Sequence, residues 1–421
     1  MSASQLDRRL GAADAFHIGV ASMVGAGVFA VFAPAAHAAG HALLIGLAIA
    51  GFVAWCNATS SAQLAAQYPS AGGTYFYGRE RLGEWPGYLA GWSFVIGKTA
   101  SCAAMAMVFA AYWIPEPWQS PVAIALVWML VGVNFFGVTR TAFVARILVL
   151  VSLAGIVVAV VVGWVAGETT SGTVVALPAG VGGWYGLLQS AGLMFFAFAG
   201  YARIATMGEE VRDPERVIPR AIVGALSFTL VLYAVVAITL LALVGPGRLA
   251  TSEAPLSLLV AGHPVASVVL VVAAATASAG ALLGLLTGIG RTWLAMARNR
   301  DLPGWFAVTH PLYKVPHRAE LVLGVVITLV LLVVDVRGAI GFSSFGVLLY
   351  YFIANLSAWT QSADRRRYPR ALQVAGAVTC AVLVVTLPWQ SVVGGVAVLA
   401  AGVLIRVFSR RRAALPKPPV G

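Results

Sequence analysis

Ser22, Gly25 and Gly27 interrupt an otherwise unbroken apolar run, in the stretch ASMVGAGVFAVFAP at 21–34. Each glycine inside a helix costs roughly 1 kcal/mol relative to alanine, so two of them at the middle of a membrane-length segment need a reason. An unwound turn at Gly25, Ala26 and Gly27 exposes backbone N–H groups at the start of a half-helix, where the partial positive charge of the helix end suits a carboxylate. A second segment repeats the anomaly. In GLMFFAFAGYARIA from Gly192, small residues at Ala197, Ala199 and Gly200 again fall at mid-membrane. A break there presents carbonyls at a helix C-terminal end, which suit an ammonium, and the pair together fits a zwitterion such as an amino acid. The competing explanation is packing, since small residues spaced along one face are common where membrane helices touch. Interruption of the first and the sixth spans, at corresponding places, favours ligand binding over packing.

Two of the cations that fall within expected spans stand out. Lys98, in GWSFVIGKTASCAAMAM, falls about thirteen residues into the third span, near mid-membrane, where a charge is costly and marks function by default. None of the 15 carboxylates lies deep inside an expected span. Desolvation without a partner disfavours the ammonium, which is what a proton-carrying group needs. The alternative is a permanently charged lysine bonded to backbone carbonyls. Arg203 lies one turn past Gly200. If it borders the cavity it repels cationic ligands and favours neutral amino acids; if it sits at the vestibule it pairs with Glu209 or Glu210. His37 and His41 are four apart but separated by Gly40, with no third ligand in sight, so no metal site is expected. Ser and Cys nucleophiles have no membrane-embedded His/Asp set, and no G-x-x-x-x-G-K-[ST] is present. Neither an enzyme nor a cofactor is expected.

The elements that must position these groups are membrane helices. The 421 residues are 60% apolar and 10% charged, and apolar segments of about 17 to 25 residues, the length a bilayer core requires, recur throughout. Spans are expected at 12–37, 41–67, 85–113, 120–138, 144–166, 184–207, 218–244, 265–296, 320–336, 338–360, 371–388 and 391–408. The fold class is therefore an all-α integral membrane protein of twelve transmembrane helices. Cys56, Cys102 and Cys380 all fall inside spans, which excludes a disulfide framework. The net charge of +12 could suggest a nucleic-acid partner. Its distribution answers otherwise, because with an internal N-terminus the external loops hold only Arg248 and Arg337 among the basic residues outside helices. By the positive-inside rule both termini, including the basic tail at 409–421, are cytoplasmic. An Ala-, Val-, Gly- and Arg-rich chain suggests a bacterial inner membrane; composition leaves the oligomeric state open.

At this point the sequence resembles the amino acid-polyamine-organocation (APC) superfamily of permeases. The motifs are VGAGVF with a following Pro34, YPSAGGTYFY from Tyr68, Gly91-Trp92, FFAFAGYARIATMGEEVRDPERVIPRAI from Phe195 and RTWLAMARNRDLP from Arg291, in the family's order over most of the chain. The resemblance implies a ten-helix transport core at 12–360, preceded by a cytoplasmic N-terminus at 1–11. Within it two inverted five-helix repeats, about 12–166 and 184–360, carry unwound first and sixth helices, and two peripheral helices follow at 371–408. It implies secondary transport of amino acids by alternating access, as symport or exchange. Ser22, Met23, Gly25, Ala26 and Gly27 then form the carboxylate side of the substrate site. Phe196, Ala197, Ala199 and Gly200 form the other, with Phe196 matching an aromatic that closes over substrate and Phe195 and Phe198 packing. Glu209, Glu210 and Arg212, with Arg203, resemble a cytoplasmic gate. Some members couple protons through a lysine on the fifth helix, where Ser152 stands here, so Lys98 is only a candidate substitute. Sodium coupling would want hydroxyls on the eighth helix, but Gly280 and Ala281 take the expected positions although Thr276 and Ser278 are near. An exporter or a cationic amino-acid or polyamine antiporter on the same fold is the alternative. A channel or scaffolding subunit is the alternative of another class, disfavoured because the spans line no continuous polar pore.

Overall fold

The computed structural model describes residues 10–68, 72–137, 142–167, 177, 183–207 and 210–414. Among them the chain is helical with no strand, as expected for a backbone whose polar groups must be satisfied within each segment inside a bilayer. The first expected span is three helical pieces, α1 (Ala12–Val24), α2 (Ala26–Ala30) and α3 (Phe32–Ala39). After a 3-10 turn at Gly40–Ala42 follow α4 (Leu43–Gln67), α5 (Gly73–Leu82), α6 (Glu84–Trp113), α7 (Gln119–Phe135) and α8 (Ala142–Ala166). The sixth span is α9 (Gly183–Phe198), a 3-10 turn at Ala199–Tyr201 and α10 (Ala202–Ala205). Then come α11 (Pro214–Leu243), α12 (Pro246–Thr251), α13 (Pro264–Arg298), α14 (His317–Val333), α15 (Val336–Trp359), α16 (Arg370–Thr386) and α17 (Trp389–Ala414).

Nine helical stretches among the described residues are long and apolar enough to cross a membrane. Gln119–Phe135, His317–Val333 and Arg370–Thr386 have 17 residues each, about the lower limit for a crossing. Exposed apolar stripes mark the lipid-facing sides: Leu150, Val157, Val161 and Val165 on α8, and Val325, Leu329 and Leu332 on α14. Most exposed tryptophans, Trp55 and Trp128 excepted, gather at or just beyond helix ends in two belts. Trp113, Trp118, Trp164, Trp184 and Trp389 flank one face, and Trp85, Trp305 and Trp359 flank the other, as amphipathic rings do at the headgroup level. The chain is a multi-pass membrane protein.

Two short helices were not foreseen. The span ending near residue 67 is followed by α5, whose sequence GTYFYGRERL is an aromatic run followed by a charged one and lies at the face where the arginines collect, here called the basic face. On the other face α12 follows Gly245, which takes a φ of 77° open to glycine. Inside, α6 is the central strut, packed against α15 and α13, while α4 packs against α11 and α9, and α1 against α11 and α8. This arrangement holds the α1–α2 and α9–α10 interruptions against each other in the middle of the bundle.

Candidate functional site

The first interruption is sharp. Gly25 ends α1 at φ −42°, ψ −145°, so the chain turns out of helix for one residue before α2 begins. A helix start leaves its first N–H groups without intrahelical acceptors, and the preceding end leaves carbonyls. The second interruption is softer, the 3-10 turn Ala199–Tyr201.

The two breaks touch. A Cβ added to Gly200 would lie 2.2 Å from the Ser22 carbonyl oxygen and 2.6 Å from Met23 N, and one on Gly27 would lie 2.8 Å from Ala197 Cα. These contacts are backbone to backbone, so only glycine permits them at either position. The structure thus brings Ser22, Met23, Gly25 and Gly27 together with Ala197, Ala199 and Gly200. Ala26 opens α2 between them. The Ser22 hydroxyl is turned back to its own helix, 2.8 Å from Ile18 O, leaving the backbone as this residue's contribution. Phe196 is buried in α9. Phe195 meets Tyr351 edge to face, and the Phe198 ring meets that of Tyr233.

Side chains from three other helices serve the carbonyls freed at the breaks. Tyr233 Oη of α11 lies 2.6 Å from Met23 O and 3.2 Å from Ala197 O, one hydroxyl spanning both interruptions. Lys98 Nζ of α6 donates to Ala199 O at 3.2 Å, and Tyr351 Oη of α15 donates to the same oxygen at 3.4 Å. Lys98 is 6% exposed. Its bond to a backbone carbonyl is the geometry of the plainer of the two expectations, but that carbonyl belongs to the second break. Tyr112 completes the set, donating to Phe29 O at 3.0 Å and accepting from Leu256 N at 3.2 Å. The tyrosines at 112, 233 and 351 were not singled out from the sequence, since an aromatic in an apolar helix gives no sign of where its hydroxyl ends.

Beside Gly25 a small cleft is lined by Val24, Ser152, Thr276, Ala277 and Ala281. Ser152 faces the first break, and the α13 residue against Gly25 is Ala281, a methyl at 2.8 Å from a Cβ built there. Thr276 spends its proton on its own helix, near Val272 O and Ala273 O. Among the described residues no group of His, Cys, Asp and Glu could hold a metal ion.

The gate candidates lie at the basic face. Leu10 pairs with Val211: Leu10 N donates to Glu210 O at 3.1 Å and Arg212 N to Leu10 O at 2.9 Å. Glu209 lies outside the described residues. Arg203 Nη1 is 3.5 Å from Thr206 Oγ1, with Glu210 and Arg291 in electrostatic range. Near them Arg146 of α8 pairs with Asp14 of α1.

Two buried carboxylates qualify the expectation that acids stay clear of the interior. Asp301, just after α13, is 0% exposed and accepts from Tyr75, Arg79, Arg406 and Arg410. Glu320, in the first turn of α14, is 2% exposed and accepts from Asn134 Nδ2 at 2.9 Å, with Thr287 donating to Asn134 Oδ1. Both lie near helix ends, and neither reaches the breaks.

The sequence matches the amino acid permease family over residues 10–411. The chain belongs to that family. The permease is 52% identical over 414 residues to transporters of Mycobacterium tuberculosis and Mycobacterium bovis that carry no assigned substrate, covering 97% of this chain and 93% of theirs. It is 29% identical over 384 residues to the chloroplastic cationic amino acid transporter 7 of Arabidopsis thaliana, covering 84% of this chain and 66% of that one. The resemblance to the APC superfamily is thereby shown. In this permease, two helix interruptions in backbone contact, with side-chain donors on their carbonyls, form the candidate site.

Proposed function

We propose that the permease carries amino acids across the membrane by alternating access, binding them beside the point where the two interruptions meet. The carboxylate is received by the free amides at Gly25, Ala26 and Gly27, and the ammonium by the carbonyl end of α9 at Ala197 and Ala199. The observation that carries this reading is the direct contact of the breaks at Gly200–Ser22 and Gly27–Ala197. It sets opposite helix-end polarities within a few ångströms, the separation of charges in a zwitterion. Phe196 closes over the substrate, and Arg203, Glu209, Glu210 and Arg212 gate the basic face, which is cytoplasmic in this reading with both termini. The two interruptions head the two inverted repeats of the core, and α16 and α17 are peripheral. The mycobacterial relatives support a bacterial cytoplasmic membrane.

The substrate side chain is neutral in this reading. Arg203, one turn beyond the second break, carries positive charge, while Asp301 and Glu320 are engaged elsewhere. A cationic side chain would meet like charge. The second reading, a cationic substrate, is favoured by the names of the plant relatives alone.

Purified protein in liposomes, preloaded with each of the twenty L-amino acids in turn, tests this by counterflow of the labelled compound. Saturable counterflow of neutral amino acids is expected, driven or opposed by a proton gradient. Counterflow confined to arginine and lysine would replace the neutral reading, and linear, non-saturating flux would indicate a channel.

A further inference from the structure

Lys98 does more than fill a buried position. Its Nζ takes the carbonyl of Ala199, at the end of α9 to which the reading above assigns the substrate's ammonium. A lysine ammonium and an amino-acid ammonium are the same donor group, and they seek the same acceptor. We propose that Lys98 is the built-in occupant of the amine subsite, so that protonated Lys98 and substrate exclude each other and amino acid moves against a proton.

The lysine is held at the site by close packing rather than by a flexible tether alone. A Cβ on Gly97 would lie 3.0 Å from Ser343 O, and one on Gly346 would lie 2.6 Å from Ser93 O, so α6 and α15 meet backbone to backbone beside Lys98. Tyr351 of the same α15 shares the Ala199 oxygen. The pair therefore approaches that carbonyl from one rigid unit.

Among the described residues the surroundings provide no counter-ion for two ammonium groups. Titratable side chains near Lys98 are Cys102, one turn along α6, Tyr350 and Tyr351 of α15, and Tyr201, stacked on Tyr351 in the turn. None of these is an acid of carboxylate strength. Of the other elements packed on α6, α2 and α7 carry no charged residue. On α13 the charges are Arg291 and Arg298, and on α14 they are Arg318 and Glu320, with His317, all near the helix ends. Among the side chains described, the charges of α5 and α17, Arg79, Glu80, Arg81, Arg406, Arg410 and Arg411, lie at the basic face with Tyr75 and Tyr77. Two cations on one carbonyl in this setting are mutually exclusive. Substrate enters when Lys98 gives its proton to water on the side to which the site is open. After release on the other side the amine takes a proton from that side, rebinds Ala199 O, and lets the empty carrier turn round. Each cycle moves one proton opposite to one amino acid.

The inference rests on the binding reading above, and the test separates them. Full-length protein in detergent is screened for thermal stabilisation by the twenty L-amino acids. For each that binds, the dissociation constant is measured from about pH 6 to about pH 8, and proton release is followed with an indicator dye in weak buffer. Release of close to one proton per amino acid is expected, with binding tightening about tenfold per pH unit; Lys98→Met should bind without either effect. Binding by the unaltered protein with no proton release, or with proton uptake, overturns the inference and leaves the binding reading intact. Should Lys98→Met not fold, that measurement on the unaltered protein decides alone. Absence of any binding amino acid overturns both.

Discussion

Arg406, near the end of the last helix, sets its Nε 2.9 Å from Oδ1 of Asp301, and both side chains are fully buried. The guanidinium also lies over the rings of Trp85 and Tyr88 at 4.1 and 4.8 Å. Asp301 in turn holds Tyr75 and Arg79 of α5, so one carboxylate fastens α17, α5 and the end of α13 together. Removing one member of a buried pair leaves an uncompensated charge and costs about 3–5 kcal/mol. Asp301→Asn, which strips the partner from several arginines, is expected to lower the thermal midpoint in detergent steeply. Arg410→Gln, at a half-exposed position with Glu84 as a second partner, should change stability by only about 0–1 kcal/mol. Equal losses for the two variants would show that the hub does not hold the fold.

The glycines at the breaks should behave unlike glycines elsewhere. Gly200→Ala drives a methyl into the Ser22 carbonyl, and no side-chain rotation relieves a clash with backbone. Loss of counterflow is expected, with a lowered thermal midpoint. Gly284→Ala meets nothing within 4 Å and gains helix propensity, up to about 1 kcal/mol. It should keep counterflow and match or exceed the parent midpoint, and a matching loss in both variants would remove the special status of the contact.

Tyr233→Phe deletes a hydroxyl and nothing else. Met23 O and Ala197 O would then lack the donor that spans them, and an unmet buried acceptor costs about 1–3 kcal/mol. The expected result is a fall in midpoint of that order together with slowed counterflow, since the two interruptions lose their shared tie. A variant indistinguishable from the parent in both assays would show that the hydroxyl bridges nothing of consequence.

Glu320 separates hydrogen bonding from charge. Glu320→Gln keeps an oxygen for the Asn134 amide and should stay within about 1 kcal/mol of the parent. Glu320→Ala leaves Asn134 Nδ2 without its acceptor and should cost about 1–3 kcal/mol. Melting curves in detergent decide it, and a glutamine variant as damaged as the alanine one would mean that the ionised carboxylate itself is needed.

Much of the architecture was legible because bilayer physics is simple. Apolar length located the helices, and glycine at mid-membrane located both breaks, so Gly25, Gly27, Ala197 and Gly200 could be named from the sequence. The donors on the freed carbonyls could not. Tyr233 and Tyr351 sit in helices whose patterns read as apolar, and only the fold shows that their hydroxyls end at the same backbone. Asp301 lies within RTWLAMARNRDLP and Arg406 in an apolar last helix, 105 positions apart, and no local periodicity links such a pair. The helix α5 escaped notice because a ten-residue segment, half of it charged or glycine, lacks a bilayer-length signal.

The bridge between Leu10 and Val211 has a practical reading as well. Leu10 exchanges backbone hydrogen bonds with both neighbours of Val211, which fastens the leading segment onto the stretch joining the sixth span to α11. A reporter or affinity handle fused ahead of Leu10 therefore pulls on the very stretch to which the proposed function gives the gate. The far end of α17 is the quieter place for a label only beyond Arg410, because everything up to that residue is moored to Asp301.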